Sequence, residues 1–280
     1  MTTTLERPVA ALTTEAPPAQ KRSRRRWSRR WVTSWAGVAV LLVLWQAAPN
    51  LGWVDKTFLP PLSQVLHAWW DLARTGELWD DVQVSLQRSL TGFGIAIAAG
   101  VPLGLAIGWY PLAAELLNPV LTIFLNTAAL ALLPVFTLIL GIGETSKITI
   151  VVYASVWPIL YNTIGGVRGV DPLLVKSARS LGVGPLRLFQ KVILPAATPT
   201  IFTGVRLGGA ASILVLITTE MVGAKSGLGY LIINSQFNFQ IPQMYAGIIT
   251  VSAVGVVFNT LLRALERRFS LWSVSLRTTR

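Results

Sequence analysis

The sequence predicts an all-α integral membrane protein with six transmembrane helices and a cytoplasmic loop between the fourth and fifth. Three observations lead there: composition, the number of long apolar stretches, and the placement of positive charge. Apolar residues make up 52% of the 280 residues and charged residues only 13%, against about a quarter charged in a soluble domain. The mean hydropathy is +0.58. So few charges cannot solvate a globule of this size, and eleven Trp fit side chains that favour a membrane interface.

A helix that crosses a bilayer needs ~20 mostly apolar residues. Six stretches qualify, at 32–51, 91–110, 116–140, 148–167, 200–222 and 246–265. Several hold Gly or Pro, which helices in lipid tolerate better than helices in water. Residues 1–30 read as a disordered basic tail, 31–272 as the six-span domain and 273–280 as a second tail. The run Ser28-Arg29-Arg30-Trp31 also fits a twin-arginine export signal, whose cleavage would leave five spans.

Orientation follows from the bases. Lys21, Arg22, Arg24, Arg25, Arg26, Arg29 and Arg30 precede the first stretch. Arg168, Lys176, Arg179, Arg187 and Lys191 lie between the fourth and fifth, and Arg267, Arg268, Arg277 and Arg280 follow the sixth. With an even span count these regions share one face, and the positive-inside rule makes it cytoplasmic, with both termini. The other loops carry Asp55, Asp71, Glu77, Asp80, Asp81 and Glu144. Cytoplasmic loops therefore account for most of the net charge of +12 without a nucleic-acid partner.

Several chemistries are missing. There is no cysteine, which excludes thiolate metal sites, and with a single histidine, His67, and scattered acids no metal ligand set is expected. No pair of acids, His or Lys occupies a predicted bilayer midplane, as a proton relay needs. No Gly-Lys pair exists, so there is no P-loop. The segment Gly141-Ile142-Gly143-Glu144-Thr145-Ser146-Lys147 has the wrong spacing for one and reads as a tight turn. The chain has spans enough for a pathway and no engine of its own.

The loop at about 168–195 is the most informative segment. Asp171 is a suitable N-cap with Pro172 at the first helical position, and Gly182 suits the left-handed residue that ends a helix. A second short helix is predicted between Gly184-Pro185 and Leu194-Pro195, with Leu186, Phe189, Val192 and Ile193 as its apolar stripe. It reads either as an interfacial helix or as a docking element.

From Lys176 to Pro195 this loop resembles the signature of bacterial ABC importer permeases: Glu-Ala-Ala, three residues, Gly, nine residues, an aliphatic residue, any residue, Leu-Pro. Lys176-Ser177-Ala178, Gly182, Val192 and Leu194-Pro195 stand in register. The departures are Lys176 at the usual acidic position and Ser177 at the first Ala. The resemblance runs from about Leu59 to the C-terminus. It is nearest the nitrate, sulfonate, taurine and bicarbonate branch through Leu59-Pro60-Pro61, the 141–147 segment, Thr219-Glu220-Met221 and Gly227-Leu228-Gly229-Tyr230.

The resemblance implies a permease subunit with no catalytic residue, paired with a second copy. Its loop (Asp171, Lys176, Ser177, Ala178, Gly182, Phe189, Val192, Leu194, Pro195) would couple it to cytoplasmic ABC ATPase subunits. ATP and Mg would be bound there and not by this chain. An extracytoplasmic binding protein would deliver a small solute, a sulfonate, taurine or nitrate, or a pyrimidine precursor. Asn118, Asn126, Thr127, Ser155, Tyr161, Asn162 and Glu220 are candidates for lining the pathway, and Glu220 is also placed to pair with Lys225. The rival readings are a passive channel or facilitator, a membrane enzyme and a structural anchor.

Overall fold

A computed structural model describes residues 25–270, with side chains from 36 to 268. Residues 1–24 and 271–280 lie outside the described residues, and with them most of both expected tails. The first helix, α1 (Arg25–Asn50), begins inside the stretch expected to be tail.

The described residues fold into helices: α1, α2 (Leu62–Thr75), α3 (Glu77–Trp109), α4 (Pro111–Asn126), α5 (Leu133–Leu140), α6 (Glu144–Arg168), α7 (Pro172–Ser180), α8 (Pro185–Leu188), α9 (Leu194–Glu220), α10 (Leu228–Phe237) and α11 (Ile241–Ser270). Four are long and apolar enough to cross a membrane: α3, α6, the continuous helix Pro185–Glu220, and α11. The expected third span is not one straight helix. Pro111–Asn126 and Ala129–Leu140 meet at 84°, because Thr127 and Ala128 adopt extended backbone. In α1 the described apolar part, Ala36–Asn50, is shorter than a full span.

The core of the molecule is a three-helix frame of α3, α6 and α9. Gly92, Ala96, Gly100, Gly104 and Gly108 recur every fourth residue on α3 and are buried against α6. A Cβ at Gly92 would lie 2.6 Å from Val151 Cγ1, and one at Gly104 would lie 2.6 Å from Thr163 Cβ. Val167 stands opposite Gly108 in the same way. Small residues at this spacing let two backbones meet, so dispersion contacts replace the hydrophobic force that lipid does not supply. On its other side α6 receives α9, with Gly204 against Asn162 and Pro158 and Gly208 against Ser155 and Ile159. The helix α6 is thus the hub.

At one end of this frame, α2, α10 and α11 pack through Val65, Leu72, Leu228, Leu231 and Ala246. Trp69 Nε1 donates to Thr250 Oγ1 at 3.0 Å, and Trp45 Nε1 to the Pro60 carbonyl at 3.2 Å. The sides stay apolar and open: Leu138 of α5 is 86% exposed, with Val256, Val257 and Leu261 of α11 also exposed.

Gly104→Leu should force α3 from α6 and destabilise the chain by roughly 1–3 kcal/mol or more. Gly94→Leu, where an added Cβ meets nothing within 4 Å, should be tolerated. Thermal unfolding in detergent checks the pair.

Candidate functional site

Candidate functional side chains gather at the two ends of the frame. At the first end α7 leaves α6 after Gly169. Asp171 Oδ1 accepts from Leu173 N at 2.8 Å, and Pro172 occupies the first turn, where its missing N–H is not needed. The helix ends in a Schellman turn: Val183 N donates to the Ala178 carbonyl at 3.1 Å and Gly182 N to the Arg179 carbonyl at 3.0 Å. Gly182 sits at φ +74, a conformation that costs other residues a steric clash.

Gly184-Pro185 opens α8 as the sequence suggests, but Leu194-Pro195 does not close it. The chain passes through a π-turn at Phe189–Ile193 straight into α9. Leu194 N donates to the Phe189 carbonyl, five residues back. The wider turn shifts the hydrogen-bond pattern just before Pro195, so a proline with no N–H enters the helix without breaking it. The buried stripe also differs from expectation. Leu188 and Ile193 are buried, whereas Leu186 is exposed; Phe189 meets Trp109 edge-on with ring centroids 5.1 Å apart. With Val167, Ala178 and Ala197 these residues seat the loop on the frame. Lys176, Ser177, Arg179, Arg187 and Lys191 point outward beside exposed Leu173, Leu174 and Leu181.

At the opposite end an ion cluster joins α3, α6, α9 and the turn into α10. Arg88 is 5% exposed and Glu220 is fully buried. All five guanidinium N–H groups are engaged. Arg88 Nε donates to Glu144 Oε2 at 2.5 Å and Nη2 to Glu144 Oε1 at 2.6 Å. Nη1 donates to Glu220 Oε1 at 2.8 Å and to the Ser226 carbonyl at 2.7 Å, and Nη2 to Ser226 Oγ at 3.3 Å.

Glu220 also accepts from Ser85 Oγ at 2.8 Å and from Gly229 N at 3.0 Å. Ser85 Oγ in turn accepts from Leu228 N at 2.9 Å, and Asp81 Oδ1 accepts from Gly227 N at 2.7 Å. Gly227, at φ +111, brings the backbone against the Glu220 carboxylate, leaving no room for a Cβ.

The partner of Glu220 is therefore Arg88 and not Lys225. Arg88 lies ahead of the apolar stretch at 91–110, but α3 starts fourteen residues before Thr91, which carries Arg88 into the packed helix. The missed signal was charge balance: an Arg and two Glu flanking apolar stretches must find one another. The 141–147 segment is a helix start rather than a tight turn alone. Gly141 has φ +79, Gly143 caps α6, and Lys147 Nζ donates to the Gly143 carbonyl at 3.2 Å.

The candidate lining residues divide by burial. Ser155 and Glu220 are fully buried between helices of this chain. Asn118 and Asn126 are exposed on α4, Thr127 stands at the break, Tyr161 is exposed on α6, and Asn162 is half-buried where α6 meets Gly204 of α9. Asn126, Thr127 and Asn162 each donate to a carbonyl four residues back in their own helix. Phe124 and Trp157 stack at 4.8 Å, tying α4 to α6. Among the described residues no group of three or more His, Cys, Asp or Glu is arranged to hold a metal.

A helical frame with four helices long and apolar enough to cross a membrane, and a capped loop at one end, defines an integral membrane protein. The family is then fixed by likeness: residues 100–271 match the model of the binding-protein-dependent transport system inner membrane component, and the chain belongs to that family. It is a permease subunit of an ABC importer, a family that works with ATPase and binding-protein partners.

Among its relatives, the putative aliphatic sulfonates transport permease SsuC of Bacillus subtilis is 33% identical, over 90% of this chain and 91% of its own. The taurine transport system permease TauC of Escherichia coli is 32% identical, over 90% and 94%. The nitrate import permease NrtB of Leptolyngbya laminosa is 29% identical, over 86% and 88%. A solved structure of the MetNI methionine ABC transporter in an inward-facing conformation shares the fold, with a TM-score of 0.60 over 71% of this chain and 96% of that one, at 17% identity.

Removing the buried carboxylate should cost far more than removing the exposed one. Glu220→Ala is expected to lose about 3–5 kcal/mol, the usual penalty for breaking a buried pair. Glu144, whose side chain is 60% exposed, should lose about 1 kcal/mol or less on change to Gln. Thermal unfolding of both variants in the same detergent tests the order.

Proposed function

We propose that two copies of this chain form the membrane pathway of an importer for a small organic or inorganic anion of the sulfonate, taurine or nitrate type. ATPase subunits would dock on α7 and α8, bind the ATP and Mg, and drive the cycle. An extracytoplasmic binding protein would supply the solute. The observation that carries the reading is the α7–α8 segment, capped at both ends of α7, seated on the frame by Ala178, Leu188 and Ile193, and presenting apolar and basic side chains outward. Such a rigid protrusion suits a docking role. The likeness to sulfonate, taurine and nitrate permeases supports the solute class.

Six spans follow when α1 and the bent α4–α5 pair are each counted as one crossing. That parity puts the bases of the α7 loop and of the end of α11 on one cytoplasmic face, and Asp71, Glu77, Asp80 and Asp81 on the other. Open apolar surface on α1 and α11 would meet lipid. The break at Thr127–Ala128 supports a pathway beside it. Non-helical backbone at membrane depth persists only where protein covers it or water lines it. Asn118, Asn126, Thr127, Tyr161 and Asn162 would form that wall. None of them is charged, so an anion would pass without a fixed counter-ion to trap it, and selection would rest mainly with the binding protein. Ser155 and Glu220 are packing residues in this reading.

Purification of the tagged chain from its host in mild detergent should recover an ATPase that carries a P-loop. Gly182→Val, forbidden at the φ of that residue, should lose the ATPase while the chain still folds and inserts; recovery in undiminished amount would reject docking on α7. Asn126→Ala and Thr127→Ala should alter uptake, and unchanged uptake by both would remove the break from the pathway.

A further inference from the structure

The helix from Pro185 to Glu220 runs 36 residues without interruption, about 54 Å at the usual rise per residue. One of its ends belongs to the loop and the other is the Glu220 carboxylate in the Arg88 cluster. Between them it is tied to its neighbours at every level. Leu188, Ile193 and Ala197 pack with Val167 of α6 at the loop end. In the middle, Ser89 and Ser212 are buried with their hydroxyls 3.1 Å apart, joining α3 to α9. At the far end Arg88 of α3 holds both Glu144 of α6 and Glu220 of α9.

The elements outside the frame are held differently. Among the described residues α5 buries no side chain. It is bounded by the break at Thr127–Ala128 and by Gly141 and Gly143, where an added Cβ would meet nothing within 4 Å.

We propose that Arg88 is a positioning residue of the transport cycle: by clamping Glu144 and Glu220 together it makes α3, α6 and α9 turn as one body, so that a push on α8 reaches the far end of the frame. Arg88 touches no solute in this role. Its five engaged N–H groups point to it, since a single planar fork fixes both distance and angle among three segments. So does the unequal burial of its two carboxylates. Glu220 is dry and permanent. Glu144 is half in water, contributes little to stability, and is the tie whose loss leaves a folded chain. This inference rests on the proposed ATPase-driven reading.

The test uses the assembled transporter in proteoliposomes, with its ATPase and binding protein, and taurine, an alkanesulfonate and nitrate as probes. The ratio of ATP hydrolysed to solute taken up is measured. Glu144→Gln should raise that ratio about fivefold or more, the lower end of ordinary coupling between sites. A residue that mattered only for folding would lower both activities together and leave the ratio unchanged, and that result would overturn the proposal.

Because the native chain has no cysteine, Ser89→Cys with Ser212→Cys provides an independent arm. Its oxidation to a disulfide should leave uptake at the rate of the reduced form, since α3 and α9 move as one body. A block of uptake on oxidation, relieved by reductant, would mean that α3 and α9 slide past each other and would also overturn it. A native complex that neither hydrolyses ATP nor imports any probe would instead reject the ATPase-driven reading itself. In that case the Cys pair is read on the chain alone: failure of the two residues to form a disulfide in the native fold would mean that α3 and α9 are not held together there and would count against the clamp.

Discussion

Five hydrogen bonds from one guanidinium hold the far end of this protein together. Arg88 lies among helices packed mainly through apolar contacts, where an uncompensated charge would be untenable. It is stable there because Glu220 neutralises it in the dry interior and Glu144 does so at the water's edge. The remaining N–H groups find Ser226. Once Arg88 is fixed, the turn from α9 into α10 has little freedom. Ser226, Gly227, Leu228 and Gly229 each place a backbone group on the cluster; Gly227 leaves space for the Glu220 carboxylate, and Gly229 for the Ile217 carbonyl and the Glu220 Cβ.

That cluster works only because the helices approach closely, and glycine sets the approach. The ladder on α3 and the pair Gly204 and Gly208 on α9 bring both helices onto α6 at backbone contact. Close packing of this kind resists small deformations and favours motion of the helices together. The loop end is organised by the same logic in another form. There, side chains of Leu188, Ile193 and Phe189 pack the loop against α6 and α3, and the π-turn reconciles a loop helix with the long helix α9.

The local signals in the sequence were strong wherever one residue decides one conformation. Asp171, Pro172 and Gly182 foretold the start and end of α7, because caps are satisfied within a few residues of chain. The apolar stretches located α3, α6, α9 and α11, since only lipid or a buried core accommodates them, but left out the first fourteen residues of α3. The same local reasoning failed at Leu194-Pro195. Proline ends a helix whose hydrogen bonds keep one register, and the π-turn changes the register. It failed again at the third span, where Thr127 and Ala128 carry no mark of a break and the 84° bend depends on what α4 and α5 pack against.

By itself the sequence determined the class of protein, a membrane permease, because composition, charge asymmetry and loop motif are properties of short segments. It also placed Glu220 as an oddity that demanded a partner. Only the tertiary structure decided that the partner is Arg88, shared with Glu144. The three residues are separated by 56 and 132 positions along the chain, and no local pattern records a contact over that distance. Burial was likewise a matter of the fold: Ser155 and Tyr161 are both polar residues on one helix, and packing against α9 covered the first and left the second open.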